Sequence, residues 1–470
     1  MSEFTMTVDG KAVDGRAVFD VLDPATERIV AQAPACGPDQ LDAAMAAAAR
    51  ALPAWRGDEK ARRYALRQAA DALEADAGRL AALITAEQGK PLAEAHDEVV
   101  FAAVWLRYYA DLDLPREVVQ DDDSGYAEVV RRPLGVVAAI APWNYPVILA
   151  TWKIAPALRA GNTMVLKPSP YTPLATLVMG ELLRGALPPG VLNVVSGPEP
   201  LGAHMTAHRT VRKVSFTGST AVGKQVARAA AGDLKRVTLE LGGNDPAVVL
   251  DDADPEQGAD QIVANAFLNA GQVCYAVKRL YVPESRYDAW VEAVTERAAA
   301  LRTGDGREDG VQLGPLSNRA QLDHVRGLVA DARAHGAVPT TGARELDRPG
   351  YFYAPTVLRD VSDGAAVVDE EQFGPVLPVI AYRDVQEAVT RANATAYGLT
   401  ASVWSADPDR AAKVARSLEC GQVCVNAHGT GLRPDLPFGG HKCSGLGVEN
   451  GPWGLYAYTQ LQVLTGPPRT

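Results

Sequence analysis

Cysteine and aromatic residues are scarce in this chain. Its 470 residues include 5 cysteines, and Phe, Trp and Tyr together account for 6%. Cysteines that are this sparse and odd in number do not suit a disulfide framework, so they indicate a reducing compartment and we expect a cytoplasmic protein. No apolar run approaches the roughly 20 residues of a membrane-spanning helix. The first 20 residues have no charged start followed by an apolar stretch, so no secretory signal is predicted.

An excess of positive charge is also missing. The chain has 46 Lys and Arg residues against 57 Asp and Glu residues, and its formal net charge is −11. A surface of that sign repels phosphate backbones and anionic lipids, so neither nucleic acid nor a membrane is an expected partner. Cys420 and Cys424 stand four residues apart without a matching pair of histidines. We therefore expect no metal site and interpret both cysteines as core residues in or beside a strand.

Hydrophobic residues are plentiful, at 47% of the chain. A chain of this length can bury an ample core and is expected to form two or three domains. Residues 1–35 have the pattern of short strands and turns. From residue 38 to about residue 111, apolar residues recur at helical spacing in an Ala-rich segment, which predicts packed helices.

Strand-like and helical segments alternate from Ala127 onward. The first strand-like runs are 135–140, 163–166, 191–195, 212–216 and 236–239. This alternation predicts a parallel sheet with helices on both faces. A second alternating set runs from residue 247 through residue 425, so the sequence predicts two α/β domains with a boundary near Leu241-Gly242-Gly243.

Cys274 is the best candidate for a reactive group. It follows Asn269-Ala270-Gly271-Gln272-Val273, between a predicted helix at 254–268 and a predicted strand at 278–282. A loop held by two rigid elements can present a thiol to a cleft. A single cysteine is more often a small buried hydrophobe than a nucleophile, so that alternative stays open for Cys274 considered alone.

Glycines follow the predicted strand at 212–216. The strand runs into Thr217-Gly218-Ser219-Thr220-Ala221-Val222-Gly223-Lys224 and then a helix. Such a turn lets backbone N–H groups and a helix N-terminus approach a phosphate. The spacing is neither GxGxxG nor GxxxxGK[ST]. The alternative is that Ser219 or Thr220 only caps the helix.

Two polar residues follow other predicted strands. Lys167 directly follows the run at 163–166, at the carboxyl edge of the predicted sheet, where the hydroxyls or phosphates of a ligand would lie. An ordinary exposed lysine is the alternative. Asn144 stands among prolines and aromatic residues in Ala141-Pro142-Trp143-Asn144-Tyr145-Pro146. Its amide can be held in place there to stabilise an oxyanion, although asparagine is also a common turn residue.

Seven segments together resemble the aldehyde dehydrogenase superfamily, in that family's order and approximate spacing, over nearly the whole chain. They are Ala141-Pro142-Trp143-Asn144-Tyr145-Pro146, Lys167-Pro168-Ser169, Phe216-Thr217-Gly218-Ser219-Thr220, Leu239-Glu240-Leu241-Gly242-Gly243-Asn244, Gly271-Gln272-Val273-Cys274, Glu371-Gln372-Phe373-Gly374-Pro375 and Pro437-Phe438-Gly439-Gly440. Each segment is moderately specific, and seven in register outweigh the separate alternatives above.

The resemblance implies an architecture of three parts. These are a Rossmann-like NAD(P)-binding domain (1–120 and 134–241), an α/β catalytic domain (242–436) and a small β oligomerisation arm (121–133 and 455–470). The arm would combine a strand around 126–132 with the C-terminal strand around 461–464. Because this arm joins subunits in the family, the resemblance implies a homodimer or a homotetramer.

The resemblance also implies a reaction, the NAD(P)-dependent oxidation of an aldehyde to a carboxylic acid. Cys274 would attack the aldehyde to give a thiohemiacetal, while the side chain of Asn144 and the backbone N–H of Cys274 hold the oxyanion. Hydride transfer to the nicotinamide would leave a thioester, and Glu240 would activate the water that hydrolyses it. Lys153 and Glu449 match positions that assist proton transfer or support the base.

The expected cofactor is NAD, with NADP also allowed. By resemblance, Lys167 would bind the adenine-ribose hydroxyls, Ser219 the pyrophosphate and Glu371 the nicotinamide ribose. The other cofactor-binding residues implied are Phe373, Trp143, Ser169, Gly218, Gly223 and Leu241. Pro170 stands where many NAD-preferring members have a glutamate that repels a 2′-phosphate. Its absence opens the site to NADP.

The substrate pocket is implied by alignment to the family. Its expected walls are Tyr145, Leu149, Trp152, Leu268, Tyr275, His428 and Phe438, with Arg433 on the loop that closes it. Apolar and aromatic walls favour a medium-sized aliphatic or aromatic aldehyde over a phosphorylated one. Arg433 could instead bind the carboxylate of a semialdehyde; a solvent-facing arginine paired with Asp435 is the alternative.

Other classes of function stay open. A CoA-acylating dehydrogenase generally lacks the glutamate base, and Glu240 is present here. A dehydrogenase that passes its acyl group to a carrier protein is a second alternative. A non-catalytic scaffold on the same fold would be expected to lose Cys274 or Glu240, and both are retained.

Overall fold

The computed structural model describes residues 3–468. Short strands open the chain and a helical block follows, as predicted. These elements are β1 (Met6–Val8), β2 (Lys11–Val13), β3 (Ala17–Asp23), β4 (Arg28–Ala35), α1 (Pro38–Gly57), α2 (Glu59–Ala75), α3 (Ala77–Gln88) and α4 (Leu92–Asp111). Gly89 ends α3 at φ 98°, a left-handed conformation that favours glycine. Because of this turn, α4 packs back against α3.

A hairpin and an alternating α/β segment come next. The elements are β5 (Glu117–Asp122), β6 (Gly125–Pro133), β7 (Val136–Ile140), α5 (Ile148–Arg159), β8 (Thr163–Lys167), α6 (Leu174–Leu183), β9 (Leu192–Val194), α7 (Leu201–Ala207), β10 (Val211–Thr217), α8 (Thr220–Ala231) and β11 (Arg236–Glu240). The five predicted strand-like runs correspond to β7, β8, β9, β10 and β11. Their bounds differ from the predicted ones by one residue at one or both ends.

The second alternating segment and the C-terminal strands complete the fold. They are β12 (Asp245–Val249), α9 (Pro255–Phe267), β13 (Val277–Pro283), α10 (Tyr287–Ala300), α11 (Arg319–Ala334), β14 (Val338–Thr341), β15 (Thr356–Arg359), α12 (Ala366–Asp369), β16 (Val376–Tyr382), α13 (Val385–Asn393), β17 (Thr400–Trp404), α14 (Pro408–Ala415), β18 (Gln422–Val425), β19 (Gly445–Leu446), α15 (Gly451–Tyr456) and β20 (Thr459–Gly466).

The first sheet contains eight strands within residues 3–468, in the order β19-β11-β10-β7-β8-β9-β1-β2. Its five central strands are parallel, and the edge strands β19, β1 and β2 are antiparallel to their neighbours. The chain order reverses between β7 and β10. In an open parallel sheet the connections diverge at such a point, which leaves a crevice at the carboxyl ends of the strands.

The second sheet contains seven strands of the described chain, in the order β14-β15-β16-β13-β12-β17-β18. All neighbouring pairs are parallel except β14 and β15. Separate clusters of buried apolar side chains cover its two faces. Two mainly parallel sheets with helical layers confirm the predicted α/β fold class.

A third sheet pairs β20 with β6, and β6 with β5, all antiparallel. The C-terminal strand, from Thr459 opposite Pro133 to Gly466 opposite Tyr126, therefore finds its partner in its own chain. The sheet starts at Glu117, before the predicted limit of the arm at residue 121. The segment 437–454, which no predicted domain includes, returns β19 to the first sheet beside β11. No helix of residues 3–468 is both long and apolar enough to cross a membrane.

Candidate active site

Cys274 lies on a loop between α9 and β13 with an unusual backbone. Asn269, Ala270 and Gly271 have positive φ values of 48°, 54° and 73°. A residue other than glycine stores about 1–2 kcal/mol of strain in that conformation. A Cβ on Gly271 would lie 2.1 Å from the carbonyl oxygen of Gly374, so only glycine fits there. The loop is therefore packed tightly against the segment 371–374, which fixes the position of Cys274.

Two cavities meet at Cys274. The switch-point cavity, of about 200 Å³, opens where β7 and β10 end, and its lining includes Trp143, Thr217, Gly218, Ser219, Leu241, Gly242, Glu371 and Phe373. The α4 cavity, of about 170 Å³, is lined by residues of α4 and α5 and of the loop that precedes β13. Asn144, Leu149 and Cys274 line both cavities. A thiol at this junction can react with a molecule from either side.

Asn144 is fixed beside the thiol. The backbone carbonyl oxygen of Asn144 accepts hydrogen bonds from Lys90 Nζ at 2.8 Å and from Asn269 Nδ2 at 3.2 Å. Its own Nδ2 donates to the carbonyl oxygen of Gln272 at 3.0 Å. Because a side-chain amide has two N–H donors, one donor is left to bind an oxygen in the cavity. The backbone N–H of Cys274 also has no acceptor among the described residues.

Burial raises the pKa of the Cys274 thiol, and the charges of Glu371, Asp245 and Glu240 raise it further. The resting protein therefore holds a thiol at neutral pH, and the thiolate forms only when a base or a nearby positive charge supports it. Glu240 and Asp245 are buried, and Glu371 is half-buried. Burial raises the pKa of Glu371 to about 7 and that of Asp245 to about 8.

Glu240 ends β11 and is 3% exposed. Neither of its carboxylate oxygens has a hydrogen-bond partner among the described residues. Burial raises its pKa well above the ordinary value, Glu449 raises it further and Lys153 opposes both. A buried carboxyl with a raised pKa and free oxygens is suited to accept a proton near neutral pH. Glu240 lies next to Leu241, which lines the switch-point cavity, although it is not itself part of that lining.

Lys153 and Glu449 form a fully buried ion pair, with 2.8 Å between Nζ and Oε1. Lys153 Nζ also donates to Thr217 Oγ1 at 2.6 Å, and Ser215 Oγ donates to Glu449 Oε1 at 3.3 Å. The second oxygen of Glu449 has no partner among the described residues. Since both charges act on Glu240, the three residues form one electrostatic unit behind the thiol.

The switch-point cavity has the features of a phosphate and ribose site. Ser219 is the N-cap of α8, with its Oγ accepting from the backbone N–H of Val222. A Cβ on Gly223 would lie 2.4 Å from Leu241 Cδ2, so glycine lets α8 approach the end of β11. Glu371 Oε1 accepts from the backbone N–H of Gly243 at 3.0 Å. The N-terminus of α8 favours a negatively charged group in the cavity.

Two aromatic rings close the same cavity near the thiol. The rings of Trp143 and Phe373 meet edge to face, with 5.3 Å between their centroids. Lys167 and Ser169 lie at the end of β8, beside β7, and neither is in the lining of the switch-point cavity. Both are buried, and burial lowers the pKa of Lys167. A long ligand would have to extend along the edge of the sheet to reach them.

The α4 cavity contains five of the eight predicted pocket residues: Tyr145, Leu149, Trp152, Leu268 and Tyr275. Phe438 lies behind this wall. Its ring centroid is 5.4 Å from that of Trp152 and 6.4 Å from that of Tyr275. The wall next to Cys274 is therefore mostly aromatic and aliphatic.

His428 and Arg433 are not part of the cavity lining. His428 is buried, with Nε2 2.7 Å from the carbonyl oxygen of Tyr275 and Nδ1 2.9 Å from Ser402 Oγ, and burial lowers its pKa to about 4. The Arg433 side chain is 59% exposed and pairs with Asp435 at 2.6 Å. Leu432 lines the cavity in its place.

Sequence reasoning missed the contribution of α4. Glu94, Asp97, Glu98 and Phe101 line the cavity and are spaced so that they share one helix face. Glu98 is neutralised by Lys90, 2.7 Å away, and caps the start of α5 through the backbone N–H groups of Val147 and Ile148. Glu94 and Asp97 make no ion pair within residues 3–468. Gln321 and His324 of α11, in the switch-point cavity, were also not predicted.

Comparisons with known proteins agree with this geometry. The model of the aldehyde dehydrogenase family matches residues 11–464. The NADP-dependent succinate-semialdehyde dehydrogenase of Escherichia coli K12 is 40% identical over 463 residues, 96% of this chain and 95% of that protein. Geranial dehydrogenase of Castellaniella defragrans is 41% identical over 453 residues, 94% of each. The structure of a Bacillus cereus aldehyde dehydrogenase in complex with NAD+ is 34% identical, with a TM-score of 0.97 over 99% of this chain and 97% of that one.

The chain belongs to the aldehyde dehydrogenase family. It is an oxidoreductase that acts on aldehydes with NAD(P) as its cofactor. The fold class, the enzyme class and the cofactor predicted from the sequence are confirmed.

Proposed function

We propose that this chain oxidises medium-sized aldehydes without a carboxylate group to carboxylic acids, with Cys274 as the nucleophile and water as the final acyl acceptor. The observation that carries this proposal is the position of Cys274 and Asn144 on both cavities. An aldehyde carbon held in the α4 cavity and a dinucleotide held in the switch-point cavity would both reach the sulfur. That proximity replaces an encounter of three molecules by one bound arrangement.

The first step begins when the Cys274 thiol loses its proton to solvent, and the thiolate then attacks the aldehyde carbon. A C–S bond forms, and the carbonyl electron pair moves onto oxygen to give a thiohemiacetal anion. The free amide hydrogen of Asn144 and the backbone N–H of Cys274 donate to this oxygen. Each such donor is worth about 2.7–4 kcal/mol in the transition state. Because burial raises the pKa of the thiol, the step should accelerate as pH rises.

The residues of the switch-point cavity fit a dinucleotide. Gly223 leaves room for α8 to approach Leu241, and Ser219 at the start of that helix would hold the pyrophosphate. Glu371 would bind the nicotinamide ribose, and Phe373 would flank the ring. Lys167 and Ser169, farther along the sheet edge, would reach the adenine ribose. When bound, NAD(P) supplies the hydride acceptor, which leaves a thioester on Cys274.

The last step is hydrolysis of that thioester. Glu240 takes a proton from water, the water oxygen bonds to the acyl carbon, and the Cys274 sulfur leaves as a thiolate. The Lys153–Glu449 pair lies behind Glu240 and would carry the proton inward. Glu240 favours water over CoA or a carrier protein as the acyl acceptor, and it argues against a non-catalytic scaffold. Measuring the product with and without added CoA separates these possibilities.

The charge of the α4 cavity supports the choice of substrate. Asp97 contributes an exposed negative charge to its lining, and no Lys or Arg of the described chain lines it. Glu98 is neutralised by Lys90, and burial raises the pKa of Glu94 to about 7. An aldehyde with a carboxylate tail would meet repulsion there, while apolar tails gain contact with Phe101 and Trp152. The second candidate is a semialdehyde, favoured by the name of the relative that is 40% identical. It would require Arg433 to leave Asp435 and turn into the cavity.

A panel of aldehydes of equal length tests this choice. The aldehydes would carry an uncharged, a carboxylated or an aromatic end, and kcat/KM would be measured from the formation of reduced nicotinamide. The proposal predicts that uncharged and aromatic aldehydes exceed the carboxylated one by about tenfold or more, which corresponds to about 1.4 kcal/mol. A carboxylated aldehyde as the best substrate would replace this proposal by the semialdehyde candidate.

The cofactor proposed is NAD, with NADP also accepted. Pro170 offers no charge to repel a 2′-phosphate, whereas the charge of Glu199 acts on Lys167 and would oppose one. The ratio of kcat/KM for NAD to that for NADP measures the balance. Complete rejection of NADP would rule out dual use.

The assembly proposed is a cytoplasmic homodimer or homotetramer joined through the third sheet. Val118 and Val119 of β5 and Leu461 and Val463 of β20 expose apolar side chains there, which supports an interface on this sheet. All five cysteines are free thiols, as suits a reducing compartment. Light scattering coupled to size exclusion would give the number of subunits, and a monomer would exclude the arm as an interface.

A further inference from the structure

Lys278 is a buried cation close to Cys274 that the steps above do not use. It is the second residue of β13, four residues after the nucleophile, and its side chain is 1% exposed. Its Nζ donates a hydrogen bond to the carbonyl oxygen of Gly271. The same atom lies 5.4 Å from the centroid of the Phe373 ring.

The surroundings of Lys278 differ from those of Lys90 and Lys153, two other buried lysines near the site. Lys90 is paired with Glu98 at 2.7 Å, and Lys153 is paired with Glu449 at 2.8 Å. Among the described residues, no carboxylate lies within 4 Å of Lys278 Nζ. An ammonium group withdrawn from water without an ion-pair partner is costly. A cost of this kind at the edge of an active site is a sign of function.

Lys278 contacts both loops that surround the reacting atoms. Gly271 belongs to the loop that carries Cys274, and Phe373 belongs to the segment that also carries Glu371. The backbone oxygen of Lys278 accepts from Gln372 Nε2 at 3.3 Å, which adds a second link to that segment. A change at Lys278 would therefore be felt in the thiol loop and in the cofactor segment together.

We propose that Lys278 is a positioning residue that ties the loop of Cys274 to the segment of Glu371 and Phe373, and that its positive charge stabilises the Cys274 thiolate. The proposal rests on the proposed role of Cys274 as the nucleophile. Glu371, Asp245 and Cys274 are the titratable groups whose charges act on Lys278. Of these, Cys274 alone must become an anion during each reaction cycle.

The state of Lys278 depends on pH. Burial lowers its pKa to about 8, and the charges of Glu371, Asp245 and Cys274 oppose that shift. Lys278 is therefore protonated below about pH 8 and loses its charge above it. Support for the thiolate is thus present on the neutral side of that value and fades on the alkaline side.

The test is the rate at which iodoacetamide alkylates Cys274 in the free enzyme, across a range of pH. The rate is read by mass spectrometry of the peptide that contains Cys274, with the Cys36 peptide as an internal reference. Lys278→Gln keeps an N–H donor for Gly271 and removes the charge, so it should slow alkylation about tenfold at neutral pH. The difference from the unsubstituted enzyme should shrink above about pH 8, because Lys278 then loses its charge and position 278 is neutral in both proteins.

Two further variants separate positioning from charge. Lys278→Met loses the donor as well, and it should weaken binding of NAD, measured by titration, as well as slow alkylation. Lys235→Met is the control for the loss of a buried lysine, since Lys235 is also buried and donates Nζ to the backbone carbonyl of Thr206 at 2.8 Å, and it differs from Lys278 in its ion pair with Asp233 at 3.1 Å. It should leave the alkylation profile unchanged. If Lys278→Met fails to fold, Lys278→Gln still gives the pH comparison.

The outcomes are distinct from those of the proposed function, because alkylation requires neither aldehyde nor NAD(P). An unchanged profile in Lys278→Gln would overturn the role of the charge, whatever the enzyme oxidises. An equal loss in Lys235→Met would reduce Lys278 to a structural residue. A Cys274 that does not react even in the unsubstituted enzyme would overturn both this proposal and its role as the nucleophile.

Discussion

The two cavities that share Cys274 are built in different ways. The switch-point cavity is formed by short segments that directly follow strands, such as Trp143-Asn144 after β7 and Gly218-Ser219 after β10. The α4 cavity is formed largely by side chains from the faces of α4 and α5. Backbone turns at strand ends require particular residues, so such turns can be recognised in the sequence as motifs. A helix face that borders a pocket uses the same spacing as any amphipathic helix, so it carries no such signal.

The largest effect is expected where the two cavities meet. Cys274→Ser replaces the sulfur by a hydroxyl that cannot form a thioester and is rarely ionised, so turnover should fall by about 10⁴-fold or more. The measurement is the initial rate of nicotinamide reduction with a good aldehyde. Cys36→Ser removes another half-buried free thiol, far from Cys274 in the sequence, and this variant should retain the rate. Intact turnover in Cys274→Ser would contradict the proposal that the reaction takes place at Cys274, where the two cavities meet.

Glu240→Gln should affect hydrolysis and leave the first steps in place. We expect one rapid equivalent of reduced nicotinamide per site, followed by steady turnover that is about a thousandfold slower. Because burial raises the pKa of Glu240, steady turnover of the unsubstituted enzyme should rise with pH as this group loses its proton. That rising limb should be absent from the variant. Stopped-flow absorbance at several pH values shows both effects, and a slow first turnover would argue against the assignment.

Asn144→Ala removes the amide donor that both cavities share. The loss should be about 100-fold to 1000-fold in kcat, as for other oxyanion donors. Steady-state kinetics with a good aldehyde measures it, and KM should change less than kcat. Asn265→Ala is the control, because its Nδ2 donates to Gln261 within α9 and should not affect the rate. Equal effects in the two variants would indicate lost structure.

The smallest effect is expected on the α4 side. Asp97→Asn removes an exposed negative charge from the cavity lining, so kcat/KM for a carboxylated aldehyde should rise about threefold to tenfold. The value for an uncharged aldehyde of equal length should stay constant. Glu292→Gln, which neutralises an exposed carboxylate on α10, is the matched control. A rise for both aldehydes would show that charge is not what Asp97 contributes.

The strands, their alternation with helices along the chain and the segments that follow them could be predicted from the sequence. Alternating strand-like and helical segments predicted the two α/β domains, and Gly271 indicated a tight loop before Cys274. Asp97 could not be predicted, because an acidic residue on a helix is equally typical of a solvated face. Arg433 was predicted by alignment alone, and its own neighbour Asp435 holds it in solvent. His428 is likewise held by the Tyr275 carbonyl and Ser402.

The distinction between the two sides of Cys274 can be tested by trapping the acyl group. Glu240→Gln would be quenched in acid during turnover, and the mass of the Cys274 peptide would be measured. With aldehyde and NAD(P) both present, the peptide should gain the mass of the aldehyde less two hydrogens, as expected for a thioester. Without NAD(P) this adduct should not form. An unmodified Cys274 under turnover conditions, or an acyl group on another residue, would contradict the placement of the reaction at the junction.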